Sequence, residues 1–248
     1  MNRPRTPFGL ALRKWRETRG LSQLKLATLA GTSPRYLSFV ETGRSRPNRG
    51  VVLRLAQALE VPLREQNQLL AAAGLSHAFT ERTLPELHPF LSSVRAMIAA
   101  HDPFPAFVFD RAYRLIDANA AARRIAPGLE ERGWIDAMFA PDSPLRAATE
   151  NFAEIGWTAL ETLRREHGSV EVVRRLEEHL SGVARPALEL PSDGSPILSA
   201  RFRFGDACVS TFSTILRFGN SRDVTLDELR VELVFPSDDV SARFFRGG

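Results

Sequence analysis

The sequence predicts two joined units of different class. Residues 1–74 read as an all-α unit of five short helices, and residues 106–248 as an α+β unit with helices over one face of an antiparallel sheet. Three observations predict this. Residues 1–74 hold 13 Lys and Arg against four Glu and no Asp, a net of +9, whereas the rest holds 20 basic and 25 acidic residues, a net of −5. Fourteen of the 16 Phe follow Gly74, so only the second unit builds a bulky aromatic core. Helical apolar spacing fills the first unit and gives way to strand-like runs after Pro105.

Length and composition agree. A chain of 248 residues suits two domains, and 44% hydrophobic with 25% charged residues excludes collagen-like, coiled-coil and disordered classes. No run approaches the roughly 18 apolar residues of a membrane span. The start, Met1 to Pro7, lacks an apolar signal core. Cys208 is the single cysteine, which excludes an internal disulfide and a cysteine-based zinc site, and is expected to be a small buried residue rather than a redox switch. A cytoplasmic location, with no membrane partner, is expected.

The five helices follow from spacing and caps. Phe8, Ala11, Leu12 and Trp15 make one apolar face, and Gly20 ends that helix. Ser22 caps a second, with Leu26, Ala27 and Ala30 inward. After the Gly31-Thr32 turn, Ser33 caps a third with Pro34 in its first turn and Leu37 and Val40 buried; Gly43 ends it. Asn48 caps a fourth carrying Val52, Leu55, Ala56 and Leu59, and Pro62 opens a fifth that ends at Gly74.

Two short helices joined by a Gly-containing turn inside a basic unit form a helix-turn-helix. The run Leu21-Ser22-Gln23-Leu24-Lys25-Leu26-Ala27, then Gly31-Thr32-Ser33, then Tyr36 to Pro47 resembles the Xre/phage-repressor helix-turn-helix class. The resemblance implies a double-stranded DNA operator as partner. By geometry, Gln23 donates to a phosphate beside a helix N-terminus. Ser33, Arg35, Tyr36 and Ser38 lie on the part of helix three that enters the major groove. Arg35 is the leading base reader through guanine O6 and N7, with a phosphate contact as its equal alternative. Arg44, Arg46 and Asn48 follow the helix and meet the backbone, with capping as the alternative role of Asn48 and packing that of Tyr36 and Phe39.

Residues 75–105 read as a linker and connecting helix, with Phe90, Val94, Met97 and Ile98 on an apolar face and Asp102 to Pro105 as a break. Phe107–Asp110 and Tyr113–Asp117 read as strands, and Asn119 caps a helix. A loop carries Trp134, Met138 and Phe139. Ser143-Pro144 starts a long helix through Leu163, with Gly156 inside it as a sign of close packing or of room for a ligand. Ser169 caps another helix that ends at Gly182. After a loop through Pro186, Pro191 and Asp193 to Pro196, strands are expected at 197–204, 207–218 and 229–235, with a short helix near Val240.

The helix-turn-helix, the phrase Phe109-Asp110 … Asn119-Ala120-Ala121-Ala122 and the closing Thr211 to Ile215 … Asp223 to Arg230 together resemble the MmyB-like transcription regulators. That resemblance implies a PAS-like ligand-binding domain able to hold a fatty-acid-like molecule. The candidate apolar contacts are Phe107, Phe109, Trp134, Phe152, Trp157, Phe202, Phe204 and Phe212, each of them also a candidate core residue. On the long strand, Cys208, Ser210, Phe212, Thr214, Leu216 and Phe218 share one face, the expected ligand face, and the site is expected between the long helix and the C-terminal sheet. No cofactor is required, and no metal spacing, G-x-S-x-G or phosphate loop points to an enzyme. The expected protein is a homodimeric regulator. Its rivals are a ligand-free dimerisation or interaction module and, less favoured, an enzyme domain tethered to DNA.

Overall fold

In the computed structural model, which describes residues 6–165, 169–187 and 197–247, five helices run from Pro7 to Ala72. They are α1 (Pro7–Thr18), α2 (Gln23–Leu29), α3 (Pro34–Glu41), α4 (Arg49–Ala58) and α5 (Leu63–Ala72). Thr6, Ser22, Ser33 and Asn48 each accept the backbone N–H of the third helical residue, at 3.0–3.1 Å. Each such bond satisfies a donor that the helix itself leaves open. Leu12, Leu26, Ala27, Leu37, Val40, Val52, Leu55 and Leu70 form the core. Gly9 is where α1 meets the end of α3: a Cβ there would stand 2.5 Å from the Glu41 carbonyl oxygen, so only glycine fits.

The remaining elements are α6 (His88–Ala99), β1 (Ala106–Phe109), β2 (Leu115–Ala118), α7 (Ala120–Ile125), α8 (Leu129–Arg132), α9 (Trp134–Phe139), α10 (Pro144–Ala148), α11 (Phe152–Arg165) and α12 (Val170–His179). Then follow β3 (Ala200–Phe204), β4 (Ala207–Leu216), α13 (Val224–Glu228), β5 (Arg230–Pro236) and α14 (Asp239–Arg246). The five strands form one sheet in the order β2-β1-β5-β4-β3, antiparallel at every pairing. Asn119 ties its edge together: its amide oxygen accepts from Ala106 and Ala122, and its NH2 donates to the carbonyls of Ile98 and Phe104.

The described residues divide into two compact units, but not at a single point. Unit one is the chain up to Thr83 together with Gly219–Asp227; unit two is Leu84–Phe218 with Glu228–Gly248. The returning segment of unit one leaves from the connection between β4 and β5. Buried Asp223 accepts from the Thr80 hydroxyl at 2.9 Å and the Arg82 N–H at 3.1 Å. Val224 N–H donates to the Thr80 carbonyl at 2.8 Å and the Thr225 hydroxyl to that of Arg82 at 2.6 Å.

Several expectations are corrected. Both faces of the sheet are covered at its centre, not one: Phe107 and Glu232 are buried on one face, Val108 and Val231 on the other. Arg95 of α6 pairs with Asp117, the ladder partner of Val108, which places α6 on that second face. On α6 the buried stripe is Leu91, Val94 and Ile98, while Phe90 and Met97 are exposed; Phe90 instead meets the Phe218 ring edge-on at 4.9 Å. The loop through Trp134 is helical, as α8 and α9. The expected helix from Ser143 to Leu163 is broken between α10 and α11, because Thr149–Asn151 pairs with the edge of β3. Glu150 N–H donates to the Arg201 carbonyl, and the Asn151 amide bonds the Ser199 carbonyl and the Arg201 N–H. Cys208 is exposed, on the edge-side pair β3–β4. Gly168 and the expected loop through Pro191 to Pro196 lie outside the described residues.

Candidate recognition helix and candidate ligand cavity

In unit one, α2 and α3 are held at a fixed angle by a buried charge network. Glu41, at the end of α3, is 3% exposed. The Arg16 guanidinium of α1 donates to both its oxygens, at 2.7 and 3.1 Å, and the Gln23 amide of α2 adds a third bond at 2.8 Å. Arg16 also donates to the Leu21 carbonyl before α2. The hydrogen bonds it donates to Glu41 raise the pKa of Arg16 above its ordinary value, so the guanidinium stays charged. Three helices thus converge on one carboxylate, and each remaining bond fixes the orientation of α3.

The outer side of α3 is open. Ser33, Arg35, Arg44, Arg46 and Asn48 are exposed, and Gln23, Tyr36 and Ser38 are half-buried. Arg35 and Arg44 both lie over the ring of Phe39, at 5.5 and 6.0 Å from its centroid. The ring is a platform that holds two guanidiniums at the surface. Sequence reasoning offered Phe39 only as a packing residue, although Arg35 and Phe39 stand four apart on one helix face. Gln23 spends one amide donor on Glu41, and the Ser33 and Asn48 oxygens each cap a helix. Tyr36 packs against the core of unit one.

In unit two a cavity of about 280 Å³ opens between the sheet and the helices α9 and α11. Its floor is the sheet face that carries Phe107, Ala200, Phe202, Phe204, Val209, Thr211, Ser213, Ile215, Glu232 and Val234. Its roof is Ile155, Thr158, Ala159, Thr162 and Leu163 of α11, at i, i+3, i+4, i+7 and i+8 spacing, with Trp134, Ile135, Met138 and Phe139 of α9. The strand face is the one opposite to that expected: Val209, Thr211, Ser213 and Ile215 face the cavity. Phe212 also lines it, with its ring stacked on Phe235 at 5.4 Å.

Of the other expected contacts, Phe107, Trp134, Phe202 and Phe204 are on the lining, while Phe109, Phe152 and Trp157 are not. Phe109 is fully buried between Phe107, Tyr113 and Trp134, with ring centroids 5.6–6.0 Å away. Phe152 carries the Arg146 guanidinium at 4.3 Å, and Trp157 that of Arg185 at 5.5 Å. Gly156 does not face the cavity; a Cβ there would meet Leu180 at 2.6 Å, so the glycine serves close packing of α11 on the end of α12.

The lining is apolar apart from Tyr113, Thr158, Thr162, Thr211, Ser213 and Glu232. Glu232 is paired in the ladder between Phe107 and Ile215 and is 8% exposed. Burial raises its pKa above the ordinary carboxylate range, an effect that the hydrogen bond with Ser213 only partly opposes. Sequence reasoning missed this residue. The signal was a lone charge inside the run Val231-Glu232-Leu233-Val234-Phe235. Among the described residues no group of His, Cys, Asp or Glu is arranged to hold a metal ion, and no helix is long and apolar enough to cross a membrane.

Comparisons with known proteins fall on the same two places. A helix-turn-helix family model matches residues 12–66. The "Uncharacterized HTH-type transcriptional regulator RghRB" of Bacillus subtilis (strain 168) is 39% identical over 77 residues, 31% of this chain. The chain spans about half of that relative's length, 53%. The restriction-modification controller protein C.AhdI from Aeromonas hydrophila is 39% identical over 25% of this chain and 92% of its own, with a TM-score of 0.24. A model described as the MmyB-like transcription regulator ligand binding domain matches residues 92–246, well over half of the chain and the whole cavity lining. With that domain behind a helix-turn-helix, the chain belongs to the MmyB-like transcription regulators.

Proposed function

We propose that this protein is a sequence-specific DNA-binding transcriptional regulator whose second unit binds a small apolar ligand of fatty-acyl shape. The observation that carries the reading is the pairing of the Arg35–Phe39–Arg44 cluster on and just after α3 with an apolar cavity elsewhere in the same chain. The basic unit attracts the duplex, α3 enters the major groove, Arg35 reads a base, and Arg44, Arg46 and Asn48 meet phosphates. The strand order β2-β1-β5-β4-β3 supports a PAS-like reading of the sheet, and a largely apolar lining with a few polar groups suits a lipid-like guest. The cavity does its work without catalysis, in the cytoplasm. The regulator acts as a homodimer on half-sites about 34–36 Å apart, which sedimentation with and without operator DNA reads directly.

The test of DNA reading compares two substitutions on a selected operator across a salt series. Arg35→Ala is expected to relax base preference at one position and cost about 1–3 kcal/mol. Arg44→Ala is expected to weaken all sequences alike and flatten the salt dependence. Wild-type binding by both variants removes the assignment of α3 as the reading helix.

A further inference from the structure

The cavity contains an ionisable group whose sign is unexpected for a fatty-acid site. Its described lining holds no Arg, Lys or His; Glu232 is its one carboxyl, and Tyr113 the only other ionisable side chain. A carboxylate ligand placed here finds no cation and stands close to a second acid. Glu232 sits at the middle of the sheet, in ladder register with Phe107 and Ile215, and lines the floor of the cavity. Ser213, on the neighbouring strand and the same face, is its hydrogen-bonding partner. Burial favours the neutral carboxyl, which donates one hydrogen bond and accepts others. Thr158 and Thr162 on the roof, with Thr211 and Ser213 on the floor, are likewise uncharged. Such a site pairs well with a hydroxyl or an amide, and badly with any ion, because a charged head group must be dehydrated without compensation.

We propose that the cavity takes an uncharged amphiphile, an alkyl or acyl chain ending in a hydroxyl or amide, whose polar end bonds the Glu232 carboxyl and the Ser213 hydroxyl. The proposal rests on the reading of the cavity as an apolar ligand site and specifies the chemistry of the head group that this site selects. Glu232 is then the residue that decides specificity, and the aromatic and aliphatic lining reads only chain length and bulk.

The test holds the chain constant and changes the head. Full-length protein is titrated calorimetrically at neutral pH with decanol, decanamide, decanoate and decylammonium, alongside a second set of longer chains. The alcohol and the amide are expected to bind at least about ten-fold more tightly than either ion. Glu232→Gln, which keeps the shape of the neutral carboxyl, is expected to hold alcohol and amide within about three-fold of wild type and to strengthen decanoate. Tightest binding by decanoate, or by decylammonium with loss in Glu232→Gln, overturns the proposal, as does equal binding of all four heads; in each case the apolar ligand site itself stands. No binding of any head at any chain length overturns both that site and the proposal. The wild-type head series alone decides the matter should the variant fold poorly.

Discussion

Each unit buries a glutamate, and the two are built in opposite ways. Glu41 is 3% exposed and receives three hydrogen bonds from a guanidinium and an amide. Glu232 is 8% exposed, with a serine hydroxyl as its partner and the wall of a cavity around it. Taking a carboxyl out of water costs free energy in both places. At Glu41 that cost is offset inside the fold, by charge and geometry, so the residue belongs to the architecture of α1, α2 and α3. At Glu232 burial favours the protonated form, which is able to bond something that enters. A buried acid held by a guanidinium and an amide holds a structure together, and one that faces a cavity is available for recognition.

The largest expected effect breaks the network around Glu41. Glu41→Ala leaves the Arg16 guanidinium buried without its partner and is expected to cost about 3–5 kcal/mol, with loss of operator binding. Hydrogen exchange of α1–α3 amides on the full chain measures it locally. An unchanged exchange pattern means that the network is dispensable and that the contrast with Glu232 fails.

Next comes Gly9→Ala, which tests whether the junction behind Glu41 is as tight as the network in front of it. The added methyl must displace backbone rather than a side-chain end, since the Glu41 and Val40 carbonyl oxygens stand 2.5 and 2.9 Å from its position. A loss of about 1–3 kcal/mol is expected in thermal unfolding of unit one. A neutral result shows that α1 slides, and that the orientation of α3 is set by Arg16 and Gln23 alone.

The smallest effect at neutral pH concerns Glu232. Because the folded-state pKa of Glu232 is raised, between the unfolded and the folded value the folded protein holds a proton that the unfolded chain has released. Stability from this group is therefore complete below the unfolded value, about 4.3, and declines as pH rises toward the folded one. Glu232→Gln has no proton to lose. Its melting temperature relative to wild type is expected to rise steadily with pH above that point, a trend opposite in sign to that of a salt-bridged carboxylate. Parallel melting curves at all pH values place Glu232 in contact with water.

The same contrast explains what was legible in the sequence. Unit one was readable almost residue by residue because its signals are local: Ser22, Ser33 and Asn48 cap helices within three residues of themselves, and Leu37 with Val40 needs only the helical repeat. Unit two depends on register. Whether Phe212 or Ser213 points to the cavity is set by pairings with β5 some twenty residues away, roughly the reach of two strands and their connection. The break at Thr149 is set by Phe202 in the same non-local way. Glu41 stands inside the run Tyr36 to Pro47 and Glu232 inside an apolar strand, and alternation shows where a charge stands but not what lies opposite it.

The segment Gly219–Asp227 has a consequence for anyone who treats the chain as two interchangeable parts. Its covalent path crosses between the compact units at three places, after Thr83, after Phe218 and after Asp227. A single cut therefore cannot separate reader from sensor. A reader ended at Thr83 loses the Asp223 carboxylate that accepts from Thr80 and Arg82, and with it the buried Val224. A sensor begun at Leu84 carries an orphaned loop between β4 and β5, the two strands that flank Ser213 and Glu232. Transplanting this ligand domain onto another reader means transplanting the partners of that loop, Thr80 and Arg82, as well.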